Sequence, residues 1–263
     1  IGLGYFAEIP SVFWDVCRVG PSTGLPTRTQ QSDITLLYEG SHGDTQHIVL
    51  FPGTVEECFE FGWRAFDIAE RFQTPVFPMS DLDLGMNRWA CSGFDYPDKP
   101  MDRGKVVRDK DVFEAFEEFG RYLDVDGDGI PYRTLPGSGM VPIMYRGTGH
   151  NPQGLYSEKP HDYYQLMTRL KDKIRGARDE LPAPILREEE EEELGIIYLG
   201  SMENTIQEID DILAASGITA SQCRIRALPA HSEIEKFIDR HQKTVILELS
   251  LIHISEPTRQ EVI

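Results

Sequence analysis

Short β-rich runs alternate with stretches of helical period along the first part of the chain. Ser11–Val16 and His47–Phe51 read as strands, the second closed by Pro52-Gly53. A helix follows, opened by Thr54 and Glu57 as a T-x-x-E capping box. Val55, Phe59, Phe66 and Ala69 recur at helical spacing and are expected on its core face. Gln73-Thr74-Pro75 ends the helix, and Val76–Met79 is the next strand. From Asp81 to about Pro160 the pattern dissolves into Gly, Pro, Asp and Tyr, too long for an ordinary connection. A helix is expected around His161–Glu180, with Tyr163, Met167, Leu170 and Ile174 on one face, and then a solvated run of six glutamates, Glu188–Glu193. The final section reads as βαβαβ. Its strands are Gly195–Leu199, Cys223–Leu228 and Thr244–Leu247; its helices are Met202–Ser216, stopped by Gly217, and His231–His241. In the second helix Ile234, Phe237 and Ile238 should face inward. Such alternation predicts an α/β fold with mainly parallel sheets, the last section forming its own small unit.

Composition narrows the functions. The 263 residues carry 44 acidic against 26 basic side chains, a net charge of −18. That balance speaks against nucleic acid and against anionic lipid, both of which call for basic faces. No apolar run approaches the roughly 20 residues that span a bilayer. Four cysteines, Cys17, Cys58, Cys91 and Cys223, lie far apart with no CxxC. They suggest buried, inert thiols in a reducing, cytoplasmic compartment and no self-contained iron–sulfur or zinc site.

Both ends are unusual. Ile1–Glu8 reads like a helix running into a strand, so a start upstream of Ile1 is expected; Gly2-x-Gly4-x-x-Ala7 lacks the preceding strand that a dinucleotide fingerprint requires. Leu249–Arg259 looks like an in-frame sequencing-adaptor translation, and residues 249–263 are set aside as an adaptor-derived tail.

Three segments carry candidate chemistry. Gly20-Pro21-Ser22-Thr23-Gly24 fits the G-x-S-x-G nucleophile elbow of serine hydrolases, but Pro26 and a polar run stand where the helix should be. Asp124, Asp126 and Asp128 begin a calcium-like loop whose twelfth position is Leu135, which cannot coordinate; a plain Asp/Gly turn is the simpler reading. Arg18 sits where a strand ends and a Gly-rich loop begins, the edge at which open α/β sheets bind ligands. Its planar fork suits a carboxylate or phosphate, and Ser22, Thr23, Thr27 and Thr29 supply hydroxyls nearby. The alternative is an arginine paired with a surface acid.

The run Asp15–Asp33 resembles the α subunit of 2-oxoacid:ferredoxin oxidoreductases, closest to the 2-oxoglutarate branch. The likeness continues through Gly40–His47, Leu50–Gly53, Ser80–Asn87, Phe119–Asp124, Arg133–Gly137 and Arg146–Asn151, covering nearly the whole chain before the tail. This resemblance implies a partial pyrimidine-type thiamine-diphosphate domain at 1–100, an irregular connection at 101–160 and a transketolase C-terminal-like domain at 161–248. It implies oxidative decarboxylation of a 2-oxoacid with coenzyme A, giving acyl-CoA, carbon dioxide and reduced ferredoxin. Thiamine diphosphate and magnesium would be shared with a β subunit, which alone carries the iron–sulfur cluster; ferredoxin and coenzyme A are met through the complex. Arg18 and Thr27 align with the family's carboxylate contacts, with Ser22 and Thr23 expected on the same wall. The family's cofactor-activating glutamate belongs upstream of Ile1, so no catalytic residue is assigned here and the chain alone should be inactive. A serine hydrolase using Ser22, or a non-catalytic transketolase-like assembly subunit, are the alternatives.

Overall fold

The structure, a computed structural model, describes residues 1–141, 144–187 and 193–249. The chain begins with α1 (Gly2–Phe6), β1 (Ser11–Val12), β2 (Asp15–Cys17), α2 (Ile34–Tyr38), β3 (Ile48–Leu50) and α3 (Val55–Phe72). β4 (Pro75–Asp81), α4 (Leu82–Met86), α5 (Lys110–Glu114) and α6 (Pro160–Ala177) follow. The remaining elements are β5 (Ile185–Arg187), β6 (Leu194–Leu199), α7 (Ile206–Ala215), β7 (Ser221–Ile225), β8 (Ala227–Leu228), α8 (Ser232–Arg240) and β9 (Lys243–Leu247).

β4 is the spine of the first sheet and is buried along its whole length. β1 and β2 pair with one side of it and β3 with the other, all in parallel. A parallel strand covered on both faces needs a continuous apolar run, which Val76, Phe77 and Met79 supply. The strand expected at Ser11–Val16 is broken in two, with Phe13 and Trp14 turned half outward between the pieces. The second sheet runs β5-β7-β6-β9, with β6 parallel to both β7 and β9 and β5 antiparallel at the edge.

Side-chain facing corrects the periodicity in three helices. In α3 the buried stripe is Phe61, Ala65, Ile68 and Phe72, with Ala69 beside it, whereas Phe66 is 47% exposed. Phe59 instead packs on Phe94 and Tyr96, from the irregular segment that lies over the outer face. In α6 the buried face is Leu166, Leu170, Lys173, Ile174 and Ala177, and Tyr163 is exposed. Lys173 is buried because Glu8, itself fully buried, accepts from its ammonium at 2.7 Å and also pairs with Arg169. Burial alone would raise the Glu8 carboxyl, but Lys173 and Arg169 outweigh it and hold the group below its ordinary value. In α8 Ile234 and Phe237 are buried while Ile238 faces out.

α6 packs its buried face into the first core, beside Ile48, Leu50, Phe61 and Ile68. The four strands of the second unit therefore begin after it, at Ile185. The strand expected at Cys223–Leu228 is also divided: β7 lies in the second sheet, and two residues later β8 pairs antiparallel with β3 in the first. The end of β7 and the step to β8 carry the charges that join the two units. Arg224 makes a two-pronged contact with Glu57 at 2.6 and 2.8 Å, and Arg226 reaches the same carboxylate at 2.9 Å. The Gly53 N–H donates to Glu57 at 2.7 Å, while Thr54 caps α3 as the sequence predicts. A Cβ on Gly53 would stand 1.9 Å from the Arg224 guanidinium, so only glycine fits. The Glu57 carboxyl is held below its usual value because the arginines outweigh the burial that would raise it.

Replacing Glu57 by alanine should cost about 3 kcal/mol in denaturant unfolding, because Arg224 and Arg226 lose the buried carboxylate they share and keep only Glu203 and Glu60 as partners. Replacing Arg224 by methionine in the same chain should recover part of that loss, a coupling a double-mutant cycle reads directly.

His47 supplies a pH dependence. It is fully buried between the rings of Tyr5 and Phe77, with neither ring nitrogen hydrogen-bonded. Burial lowers its pKa from 6.5 to about 4. The unfolded chain therefore binds the proton first, and stability falls as pH drops from 6.5 towards 4, by about 3 kcal/mol at most. Urea midpoints at pH 7 and pH 4.5 should differ less in His47→Phe than in the unaltered chain.

Candidate carboxylate-binding site

β2 lies in register with the end of β4, Cys17 opposite Asp81, so both strands deliver their carboxyl ends to one edge. The Trp14 indole N–H donates to Ser80 at 3.0 Å, and the Ser80 hydroxyl donates to the Asp15 carbonyl at 3.3 Å, which fixes that edge. Arg18 is the next residue. Its guanidinium is exposed, and no hydrogen bond or ion pair engages it among the described residues. Among the described residues no surface acid pairs with it, as the alternative would require.

The loop after Arg18 folds back on itself. The Val19 N–H donates to the Arg28 carbonyl at 3.2 Å, and Val19 bridges Leu25. These contacts bring Arg18 and Thr27 to the same neck of the loop and leave residues 20–24 as its tip. The Gly20 N–H donates to the Gln30 side chain at 3.0 Å, tying tip to base. Ser22 and Thr23 thus sit at the tip, away from the neck; they and Thr27 are exposed. Ser22 has φ +59°, a left-handed conformation, but a bridge and turns follow it rather than a helix. No hydrogen bond joins it to a histidine among the described residues. The elbow resemblance stops at the backbone.

Cys17 is buried and its thiol donates to Asp33 at 3.3 Å; burial raises the thiol pKa, so it stays protonated. Cys223 is also buried, Cys58 half-buried and Cys91 exposed, so the expectation of four buried thiols fails at two of them.

The calcium-like loop is filled from within. The Lys105 ammonium donates to Asp126 at 2.6 Å, to Asp128 at 2.7 Å and to the Ile130 carbonyl at 3.0 Å. Asp124 accepts from the N–H groups of Gly127 and Gly129, both at 2.8 Å. The ammonium stands where these carboxylates would meet a cation. Millimolar calcium should therefore leave the melting midpoint unchanged, whereas a bound ion would raise it with concentration.

Sequence reasoning passed over Gln30, Gln31 and Asp81. Gln31 and Asp81 are buried side by side, the Gln31 amide donating to Asp81 at 3.2 Å. The only signal was a pair of glutamines after the loop, which has no periodicity to read.

A parallel sheet with an arginine loop at its carboxyl edge is a ligand-binding α/β architecture. Residues 1–89 match the family described as pyruvate flavodoxin/ferredoxin oxidoreductase, thiamine diphosphate-binding. The chain is 30% identical to the 2-oxoglutarate synthase subunit KorA of Methanothermobacter thermautotrophicus, over 95% of its own length and 65% of that protein's. It is 30% identical to subunit alpha of 2-oxoacid:ferredoxin oxidoreductase 2 of Aeropyrum pernix, over 96% of this chain and 39% of that one. Its fold overlays a solved 2-oxoglutarate:ferredoxin oxidoreductase of Magnetococcus marinus, bound to 2-oxoglutarate, coenzyme A and succinyl-CoA, with a TM-score of 0.79. That match has 25% identity and covers 94% of this chain and 42% of the other. The chain belongs to the 2-oxoacid:ferredoxin oxidoreductase α-subunit family. It spans 65% or less of the length of these relatives. No helix among the described residues is long and apolar enough to cross a membrane.

Proposed function

We propose that this chain forms the carboxylate-holding part of an enzyme that oxidatively decarboxylates 2-oxoglutarate with coenzyme A, giving succinyl-CoA, carbon dioxide and reduced ferredoxin. The observation that carries the reading is Arg18, an exposed guanidinium with no ion pair among the described residues, at the carboxyl end of a parallel strand and on a loop tied at both ends. Thiamine diphosphate, when bound, supplies the electron sink for decarboxylation. Arg18 grips the leaving carboxylate with two parallel N–H donors, and Thr27, at the same neck, adds a neutral donor. Together they orient the keto carbon. Ser22 and Thr23 close the outer wall of the same loop.

The groups at this edge fit a carboxylate and do not fit a diphosphate–magnesium pair. Magnesium takes hard oxygen ligands, whereas the nearest acidic cluster, Asp15, Cys17 and Asp33, is centred on a buried protonated thiol. We therefore assign diphosphate, magnesium and the iron–sulfur cluster to a β subunit. Support for such a partner comes from exposed apolar side chains on the strand and loop that flank Arg18 in the chain: Phe13, Trp14, Val16 and Leu25. Covering them would desolvate Arg18 and strengthen its grip on an anion. The units themselves are read as a pyrimidine-type domain and a transketolase C-terminal-like domain, working in the cytoplasm.

The test is made in the full-length α chain assembled with its β subunit. Arg18→Ala should lower kcat/KM by roughly 2–5 kcal/mol, about thirtyfold to several thousandfold, with thiamine diphosphate binding nearly intact. Arg18→Lys should recover only part, since an ammonium cannot make the two-pronged contact. Thr27→Val should cost less, roughly 0.5–1.5 kcal/mol. An Arg18→Ala enzyme within twofold of the parent for every 2-oxoacid would remove the assignment.

A further inference from the structure

Gln31 ends the returning limb of the arginine loop and is fully buried. Every hydrogen-bonding group of its side chain is used. The Nε2 amide donates to Asp81 Oδ2 at 3.2 Å and to the Leu199 carbonyl at 3.3 Å, while Oε1 accepts from the Leu249 N–H at 3.3 Å. Its backbone N–H donates to the Leu249 carbonyl at 2.7 Å. Leu199 ends β6, and Leu249 lies two residues past β9. Gln31 is thus fastened to the carboxyl edge of the second sheet, and through Asp81 to the end of β4 in the first.

The surroundings are shaped to keep it there. Asp81 Oδ2 also accepts the Ser201 hydroxyl, and Asp81 Oδ1 caps α4 through the N–H groups of Asp83 and Leu84. Gly200 adopts φ +59°, and a Cβ there would lie 2.7 Å from the Gln31 amide nitrogen. The neighbouring Gln30 accepts from Gly20 across the loop. Two adjacent glutamines therefore do different work: one closes the loop on itself and the other anchors it to the second unit. The contacts with Leu249 are to its backbone, so they are indifferent to its side chain. Leu249 is the first residue of the segment set aside as an adaptor-derived tail, and its backbone belongs to this network; residues 250–263 lie outside the described residues.

We infer that Gln31 is the positioning residue of the carboxylate loop, through which the second sheet sets where Arg18 and Thr27 hold the 2-oxoacid. The inference rests on the carboxylate reading of Arg18. A glutamine that only stabilised the fold would, when replaced, lower the amount of active enzyme and hence apparent kcat, leaving KM where it was. A positioning residue moves KM.

Two variants and two measurements test it. Gln31→Met keeps the length but removes the amide; Gly200→Ala keeps the amide but crowds it out of place. In the 263-residue chain, trypsin cleavage after Arg18 and Arg28 is followed by mass spectrometry, with cleavage after the exposed Arg108 as internal reference. Both variants should speed loop cleavage about tenfold while the reference stays constant, because a loosened loop opens locally. In the assembled full-length enzyme, both should raise KM for 2-oxoglutarate about tenfold to a hundredfold with kcat little changed, the expected cost of a misplaced clamp. Unchanged cleavage in both variants overturns the inference. So does faster cleavage with an unchanged KM, in an enzyme whose KM does respond to Arg18→Ala. If Arg18→Ala itself leaves 2-oxoacid kinetics unaltered, the carboxylate reading has failed instead, and cleavage alone decides whether Gln31 holds the loop.

Discussion

The buried carboxylate of Glu57, at the first turn of α3, has no satisfactory partner within its own unit beyond the Gly53 N–H. Two arginines from the far unit complete it, Arg224 from β7 and Arg226 from the step between β7 and β8. Leaving such a charge uncompensated away from water is expensive, so the two units have one docked arrangement rather than a range. The same segment then enters the first sheet as β8, where the Phe51 N–H donates to the Arg226 carbonyl at 2.8 Å. Charge pairing and strand pairing thus act within the five residues Arg224 to Leu228 and require the same alignment.

The candidate site inherits that alignment. The carboxyl edges of the two sheets meet at Asp81, Gln31 and Ser201, all three buried. The arginine loop springs from this junction rather than from the first sheet alone. An arginine that must meet a carboxylate with two-pronged geometry tolerates little angular error. Anchoring its loop on two rigid sheets is a physical means to that end. The surrounding charge matters as well: in a chain of net −18, an exposed guanidinium is a local positive feature against an acidic background. Exposed apolar neighbours mark the surface where a partner would shut out water.

Ionic contacts elsewhere in the chain stand in for what the pattern of residue types would assign to other devices. Lys105 occupies the position among Asp126 and Asp128 that the Asp/Gly spacing would assign to a metal ion. Lys173 and Arg169 converge on Glu8, tying α6 to the start of the chain. As a result the helix after the long irregular segment belongs to the first core, although it precedes the second sheet in sequence.

Much of the architecture was legible without coordinates, because it rests on local rules. The Thr54 cap, the stop at Gln73 and the strand at Val76–Met79 follow from short-range hydrogen bonding and hydrophobic patterning, whereas the Glu57 half of the expected capping box accepts from the Gly53 N–H instead. Arg18 was legible too, as a guanidinium at a strand's end before glycines, reinforced by a long motif match. Facing was less so: Phe59 and Phe66 of α3 were assigned to the core, but Phe66 is exposed, and the rule cannot know that Phe94 and Tyr96 will cover Phe59 on the other side. The partners of charged groups were not legible at all. Nothing local links Glu57 to Arg224, Glu8 to Lys173, or Gln31 to Leu199, since each pair is separated by most of the chain. Sequence by itself determined the elements and the chemical group poised at the edge. Tertiary structure decided which buried polar atoms satisfy one another, because that depends on distances between segments that only folding brings within hydrogen-bond range.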